Sequence, residues 1–237
     1  MNLRQVLPII SLCILTILPL YPVTAESVSF LTALLRFTGI SVTANQVKGS
    51  EGLMEGDIWL AHVGAAEASE PLKITSDGTY HTPLWIPGSL SLLAMKGDKL
   101  IQLNAQGNGE KTLHTLTDNT ELLGFDKNNP NQVLVLQEEP IVGVLSVASG
   151  QVTPLPYDKE NPEDRFGLDQ LRRGFRDYGN TQISIENQSK VDPQGHFKPS
   201  STIHIKMGNK DISISCPITC SQPALAEDGR QLLFIGH

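Results

Sequence analysis

The feature that most constrains this chain lies at its end. "QPALAEDGRQLLFIGH", from Gln222 to His237, has the shape of "TPLWIPGSLSLLAMKG", from Thr82 to Gly97. Aligned without gaps, Pro83 falls on Pro223, Trp85 on Leu225, and Leu92-Leu93 on Leu232-Leu233. The earlier copy runs on into a second hairpin, whereas the later copy stops at the C-terminus. A unit cut in this way needs its other half from elsewhere in the chain.

From Gly56 onward the texture is all-β, with short alternating runs separated by Gly, Asp, Asn and Pro. "DIWLAHV" (57–63) is answered by "PLKIT" (71–75), "KLIQLNA" (99–105) by "KTLHTL" (111–116), and "IVGVLSV" (141–147) by "VTPL" (152–155). Val63, Leu103 and Val147 end the first arms of these hairpins, 40 and 44 residues apart. Leu72, Leu113 and Leu155 sit in the second arms, 41 and 42 residues apart. About four strands in a period near 42 is the signature of propeller blades.

The second hairpin is preceded by "TPLWIPGSLSLLAMKG", and the third by "ELLGFDKNNPNQVLVLQEE" (121–139) with "DKNNPNQ" as its turn. Before the first stands only "VTANQVKGSEGLMEG". The C-terminal copy supplies the missing half, so one sheet is expected to be built from both ends of the chain. A ring left open exposes two sheet edges, and shared termini remove them. The expected fold is therefore an all-β, small β-propeller of about four to five blades. Pairing of N- and C-terminal strands closes it within residues 50–237. Its clear units are the shared one, 76–118, 119–157, and a distorted one within 158–216. The last holds "TQISIEN" (181–187), "STIHIKM" (201–207) and "DISIS" (211–215).

Joined across the closure, "QPALAEDGRQLLFIGH" and "GDIWLAHVGAAEASEPLKITSDG" resemble one repeat of the TolB-type propeller family. Pro83, Trp85 and Pro87 carry that pattern in one copy, and Pro223, Asp228 and Gly229 in the other. Asp57-Ile58-Trp59, Lys73-Ile74-Thr75 and Asp77-Gly78 complete it. The resemblance is good over about 50–118 and 212–237 and weak over 119–211. Leu225 stands where the other copy has Trp85, and the Asp of the Asp-Gly turn is missing near Gly88. The resemblance implies a noncatalytic scaffold or protein-binding module of the cell envelope. Six blades would be expected by analogy, against four clear units here.

The chain begins with a basic residue, Arg4, an apolar run to Tyr21, and the small residues Val23-Thr24-Ala25. This reads as a secretory signal over residues 1–25, so the protein is expected to be periplasmic or secreted, with no membrane span after cleavage. A retained anchor is the alternative, but Pro8, Pro19 and Pro22 interrupt a run barely long enough to span. Residues 26–49 read as a short helix and an extended lead-in. Leu31 and Leu35 share a helical stripe, and Gly39 is a plausible stop. Residues 158–180 read as an insertion. Leu168, Leu171 and Phe175 form its apolar stripe, with Arg172, Arg173 and Arg176 away from it.

Those three arginines are the concentrated basic patch of a chain with net charge −7. With Leu31 and Leu35 they are the candidate contacts for a protein partner in the envelope, one bearing carboxylates or phosphates. The acidic balance argues against nucleic acid as the main partner. Trp85 is the candidate for stacking on a small ligand or sugar, an alternative function. Cys216 and Cys220 in "CPITC" read as a disulfide. Half a zinc site is the alternative, but there is no second cysteine pair.

No catalytic residue, metal site or cofactor is expected. The sequence has no G-x-S-x-G nucleophile turn, no H-E-x-x-H and no phosphate-binding G-x-x-x-x-G-K. An enzyme of an unrecognised kind is a third reading. His62, His114 and His204 fall on alternating runs, where half-exposed strand positions account for them. Asp57, Asp77, Asp98 and Asp228 most simply serve turns.

Overall fold

The computed structural model describes residues 54–126, 129–137, 141–165, 168, 181–191 and 193–237. The expected signal segment over 1–25, the expected short helix and lead-in over 26–49 with Leu31 and Leu35, and Arg172, Arg173 and Arg176 lie outside these residues. The described chain is all-β and forms four small antiparallel sheets. β1 (Asp57–His62) and β2 (Leu72–Lys73) enter a terminal sheet. The second sheet contains β3 (Tyr80–Trp85), β4 (Ser91–Lys96), β5 (Lys99–Asn104) and β6 (Lys111–Thr115). The third contains β7 (Glu121–Asp126), β8 (Asn129–Gln137), β9 (Ile141–Ser146) and β10 (Val152–Pro154). β11 (Thr181–Val191), β12 (Phe197–Met207) and β13 (Lys210–Ser215) make the fourth, and β14 (Cys220–Leu225) and β15 (Gln231–Gly236) return to the terminal sheet.

The terminal sheet has the order β14-β15-β1-β2. β15 and β1 pair in unbroken register from Asp57 opposite Gly236 to His62 opposite Gln231. The split repeat is thus rejoined: the last strand of the chain lies against the first described one. An isolated bridge from Gly56 to Tyr80 ties this seam to the second sheet. A Cβ on Gly56 would collide with the Gly236 carbonyl oxygen, so glycine is required for the seam to close.

Three of the four sheets, the terminal, second and third, each have one strand apolar on both faces, because both faces are covered. In β15, Leu232 and Phe234 pack towards the fourth sheet with Ile203, Ile205, Ile212 and Ile214. Leu233 and Ile235 turn the other way, towards Leu92, Ala94, Ile101 and Leu103 of the second sheet. In β4, Leu93 and Met95 face Val133, Val135 and Leu145 of the third. In β8, Leu134 and Leu136 face Leu168, which caps the last sheet. The sheets therefore pack in the series fourth, terminal, second, third. A fully buried Leu, Ile, Val or Phe contributes about 1.5–3 kcal/mol, and these runs supply it to two interfaces at once.

Two boundaries differ from the sequence reading. The "DKNNPNQ" turn is mostly strand: β8 begins at Asn129, so the reversal is tighter than a seven-residue loop. β11 and β12 also run past "TQISIEN" and "STIHIKM", pairing from Thr181–Met207 to Val191–Phe197. β13 follows β12 only to the Thr202–Ser215 pair, so the rest of the hairpin projects as a two-stranded arm. Pro199 explains why the third strand stops. Cys216 N donates to Ser201 O at 2.9 Å, which sets Ser201, and Pro199 two residues earlier, on the same edge. A proline there has no N–H to continue the ladder. The tip carries the exposed pair Val191 and Phe197.

Candidate functional site

The two copies of the opening repeat meet side by side. In each, the strand bulges before its proline: the register slips between His81 and Leu84 in β3 and between Ser221 and Ala224 in β14. Thr82 (φ 46°) and Gln222 (φ 54°), the residues before Pro83 and Pro223, are left-handed. Proline already bars its predecessor from the right-handed helical region. Hydrogen bonds hold the strain in place: Thr82 N donates to Gln222 Oε1, and Leu122 N donates to Thr82 Oγ1 at 3.2 Å. Leu122 sits at the matching bulge of β7. One repeat position thus stitches three successive sheets together, and its backbone strain belongs to the fold.

Beyond the bulges the chain turns twice in parallel fashion. Ser89 N donates to Ile86 O at 3.1 Å and Gly229 N to Ala226 O at 2.9 Å. In the second sheet Pro87 and the left-handed Gly88 hold the central positions, as a type II turn requires. In the terminal sheet Glu227 and Asp228 hold them, the left-handed residue is Gly229, and Asp228 Oδ1 accepts from Arg230 N at 2.9 Å. The absent Asp near Gly88 is therefore a change of turn type, not a loss of the turn.

Between these turns lies an open groove of about 240 Å³. Trp85, Ile86 and Ala226 contribute its apolar wall; Pro87, Ser89, Leu90, Glu227, Asp228 and Gln231 complete the lining. Leu90 is 68% exposed, large for an aliphatic side chain left in water. Glu227 and Asp228 are exposed beside it. The groove joins apolar surface to two carboxylates, a combination that suits an aliphatic side chain next to a cation.

Trp85 lines this groove but is only 7% exposed, packed in the core between the terminal and second sheets. What it offers a ligand is the small part of its ring left uncovered. Its Nε1 is buried without a hydrogen-bond partner among the described residues, but so is that of Trp59, so the feature does not single out a ligand site.

Other polar clusters serve the fold. Lys96 Nζ lies 2.7 Å from Asp77 Oδ2 and 3.1 Å from Glu110 Oε1, and Tyr80 OH donates to Glu110 Oε2 at 2.6 Å. Burial, then the Glu110 carboxylate, pushes the Tyr80 phenol up to about 12. The Tyr80 hydroxyl holds Glu110 below its ordinary range, and Asp77 raises the pKa of Lys96 by hydrogen bonding. Tyr80 and Lys96 are opposite in register, so the cluster clamps one end of the second sheet. Asp57 likewise ties a connector, accepting from Gly78 N at 2.9 Å and pairing with Lys73 at 2.7 Å.

Two serine–histidine contacts have the order of a nucleophile and its base. Ser213 Oγ is 3.1 Å from His204 Nδ1, and His204 Nε2 is 3.2 Å from Glu186 Oε2. These are cross-strand neighbours on an open sheet face, with His204 32% and Glu186 55% exposed at the side chain. Water there screens the charges that would activate a hydroxyl. Ser221 Oγ is 2.8 Å from His237 Nε2, while His237 Nδ1 is 2.9 Å from Glu55 O. The carbonyl can only accept, so Nδ1 carries a proton, and in the neutral ring Ser221 then donates to Nε2. With His237 N donating to Thr219 O at 3.0 Å, the last residue is clasped to the seam. None of these residues lines the groove.

Cys216 and Cys220 form the expected disulfide across the connector from β13 to β14. His62 is exposed, and His114 and His204 are half-buried. Among the described residues there is no group of three His, Cys, Asp or Glu able to hold a metal ion, and no helix long and apolar enough to cross a membrane. Of the groove, sequence reasoning singled out only Trp85. Leu90, Glu227 and Asp228 were missed, although the alignment of the two copies was the signal that could have found them. Neighbouring sheets of a repeat place equivalent turns side by side. Compared with protein-family models and with curated proteins, the chain gives no match.

Proposed function

We propose that this chain is a noncatalytic, extracytoplasmic binding module: a small propeller-like set of repeat sheets that presents its turns to a protein partner. The groove between the 86–90 and 226–230 turns carries this reading. It is open, its wall is apolar, its rim bears Leu90 and two carboxylates, and it rests on rigid bulged strands. The partner it suits presents an aliphatic residue next to a lysine or arginine. The disulfide is in keeping with an oxidising compartment, and strands from the two ends of the chain in one sheet are what a TolB-like ring would use for closure. A small ligand or sugar stacked on Trp85 is the weaker reading, because the ring is held between two sheets.

The test is affinity capture from an envelope extract with residues 26–237, beside a Leu90→Asp, Asp228→Lys variant and an Arg172→Glu, Arg173→Glu, Arg176→Glu variant. Loss of a recovered protein with the first variant alone supports the groove. Loss with the arginine variant alone moves the contact to the 158–180 insertion. No recovered protein with the native chain counts against a protein partner.

A further inference from the structure

The arm of β11 and β12 and the groove stand at opposite ends of the molecule. β12 starts at the arm tip with Phe197 and pairs with β11 in unbroken register as far as Met207. The 226–230 turn lies at the Met207 end, where a Cβ on Gly229 would stand 4.0 Å from Met207 Sδ. β12 has 11 residues, and at about 3.3 Å per residue its ends are about 33 Å apart. The arm of one molecule therefore does not reach its own groove.

The tip carries what the groove lacks. Val191 and Phe197 lie opposite each other across the hairpin, 59% and 76% exposed. Among the described residues Phe197 is the most exposed large apolar side chain, and Leu90 on the groove rim is the next. The arm segment 188–200, "QSKVDPQGHFKPS", has two lysines and one aspartate on a chain of net charge −7. Lys198, next to Phe197, is exposed, as are Glu227 and Asp228 on the groove. Neighbouring residues of a strand point to opposite faces, so Phe197 and Lys198 give the tip one apolar and one cationic side. The groove is divided in the same way, with Leu90 on one turn and the two carboxylates on the other. Its volume of about 240 Å³ falls below the roughly 300–1,000 Å³ of small-molecule pockets and suits one large side chain.

We propose that the occupant of the groove is the arm tip of a second copy of this chain. Phe197 seats against Ile86, Leu90 and the uncovered edge of Trp85, and Lys198 lies beside Glu227 and Asp228. This rests on the groove reading above and names the partner. The contact is heterologous, tip to groove, so every pair keeps a free tip and a free groove and association runs on from copy to copy. One side chain in one groove is a small interface, below the roughly 1,200 Å² of stable complexes, so association is weak. Salt weakens it further by screening the exposed charges.

Sedimentation equilibrium on residues 26–237, from about 1 μM to about 1 mM, tests this with Phe197→Ser and Leu90→Asp. Both positions are exposed, and unchanged melting temperatures confirm that the variants fold. The native chain should associate, and each variant alone should do so about tenfold more weakly or less. An equimolar mixture of the two variants should regain pairing, through one intact tip and one intact groove, and should stop at two copies. A native chain that stays monomeric to about 1 mM overturns the inference. If capture from the envelope extract then still recovers another protein, lost with Leu90→Asp, Asp228→Lys, the groove reading stands without it. Association that either variant leaves intact overturns the inference, as does a mixture that pairs no better than each variant alone.

Discussion

Phe234→Ala tests how the terminal sheet holds the molecule together. Phe234 is fully buried in β15, against Ile203, Ile205, Ile212 and Ile214 of the fourth sheet. Removing a buried Phe ring costs about 3–5 kcal/mol, a large share of a net stability of about 5–15 kcal/mol. With a urea slope of about 2–3 kcal/mol per molar, the unfolding midpoint should fall by about 1–2.5 M. The two tryptophans report separately. Trp59 packs on the fourth-sheet side of the terminal sheet, and Trp85 on the second-sheet side. Fluorescence melts of Trp59→Phe and Trp85→Phe backgrounds should show both midpoints moving together, because β15 serves both interfaces. A Trp85 midpoint that stays put while that of Trp59 falls would refute the argument, since the two interfaces would then unfold as separate units.

Deleting 222–237 removes half of the terminal sheet and should abolish cooperative melting; a truncated chain that still melts sharply rules out the shared sheet as a structural requirement. His81 is held below its ordinary 6.5 by burial, against an opposing hydrogen bond with the Gly97 backbone. Its neutral form is favoured in the fold, so its contribution is complete above about pH 6.5 and is lost as pH falls below that value. His81→Gln should flatten the stability profile there, read as melting temperature against pH; an unchanged slope assigns the acid loss elsewhere. Tyr80→Phe should let Glu110 titrate nearer its ordinary 4.5, followed by carboxyl NMR, because the Tyr80 hydroxyl is the main group holding it down. Without reductant, a peptide linking Cys216 to Cys220 should appear by mass spectrometry, and free thiols at both positions would contradict the bridge.

Much of the architecture was legible because two-sided burial writes a plain code. "QLLFIG", "SLLAMK" and "QVLVLQ" are apolar runs of four, too short for helices, and each became the strand packed on both faces. The split repeat foretold the β15–β1 pairing for the same reason. The extended arm of β11 and β12 was hidden because its residues are polar and exposed, and only Pro199 marks where the third strand must stop. The groove was hidden for a different reason. Leu90 and Asp228 lie 138 residues apart and become neighbours only when equivalent turns of adjacent sheets are brought together. Local pattern reads strands well, and reads poorly what two strands of different sheets enclose.

The most direct test of the binding account is site-specific photo-crosslinking in the native host. A photoreactive residue at Leu90, on the groove rim, is compared with one at Leu72, similarly exposed but outside the groove. The account predicts a discrete adduct with one protein from position 90 and none from position 72. Equal labelling from both positions, or no protein adduct from position 90, would contradict it.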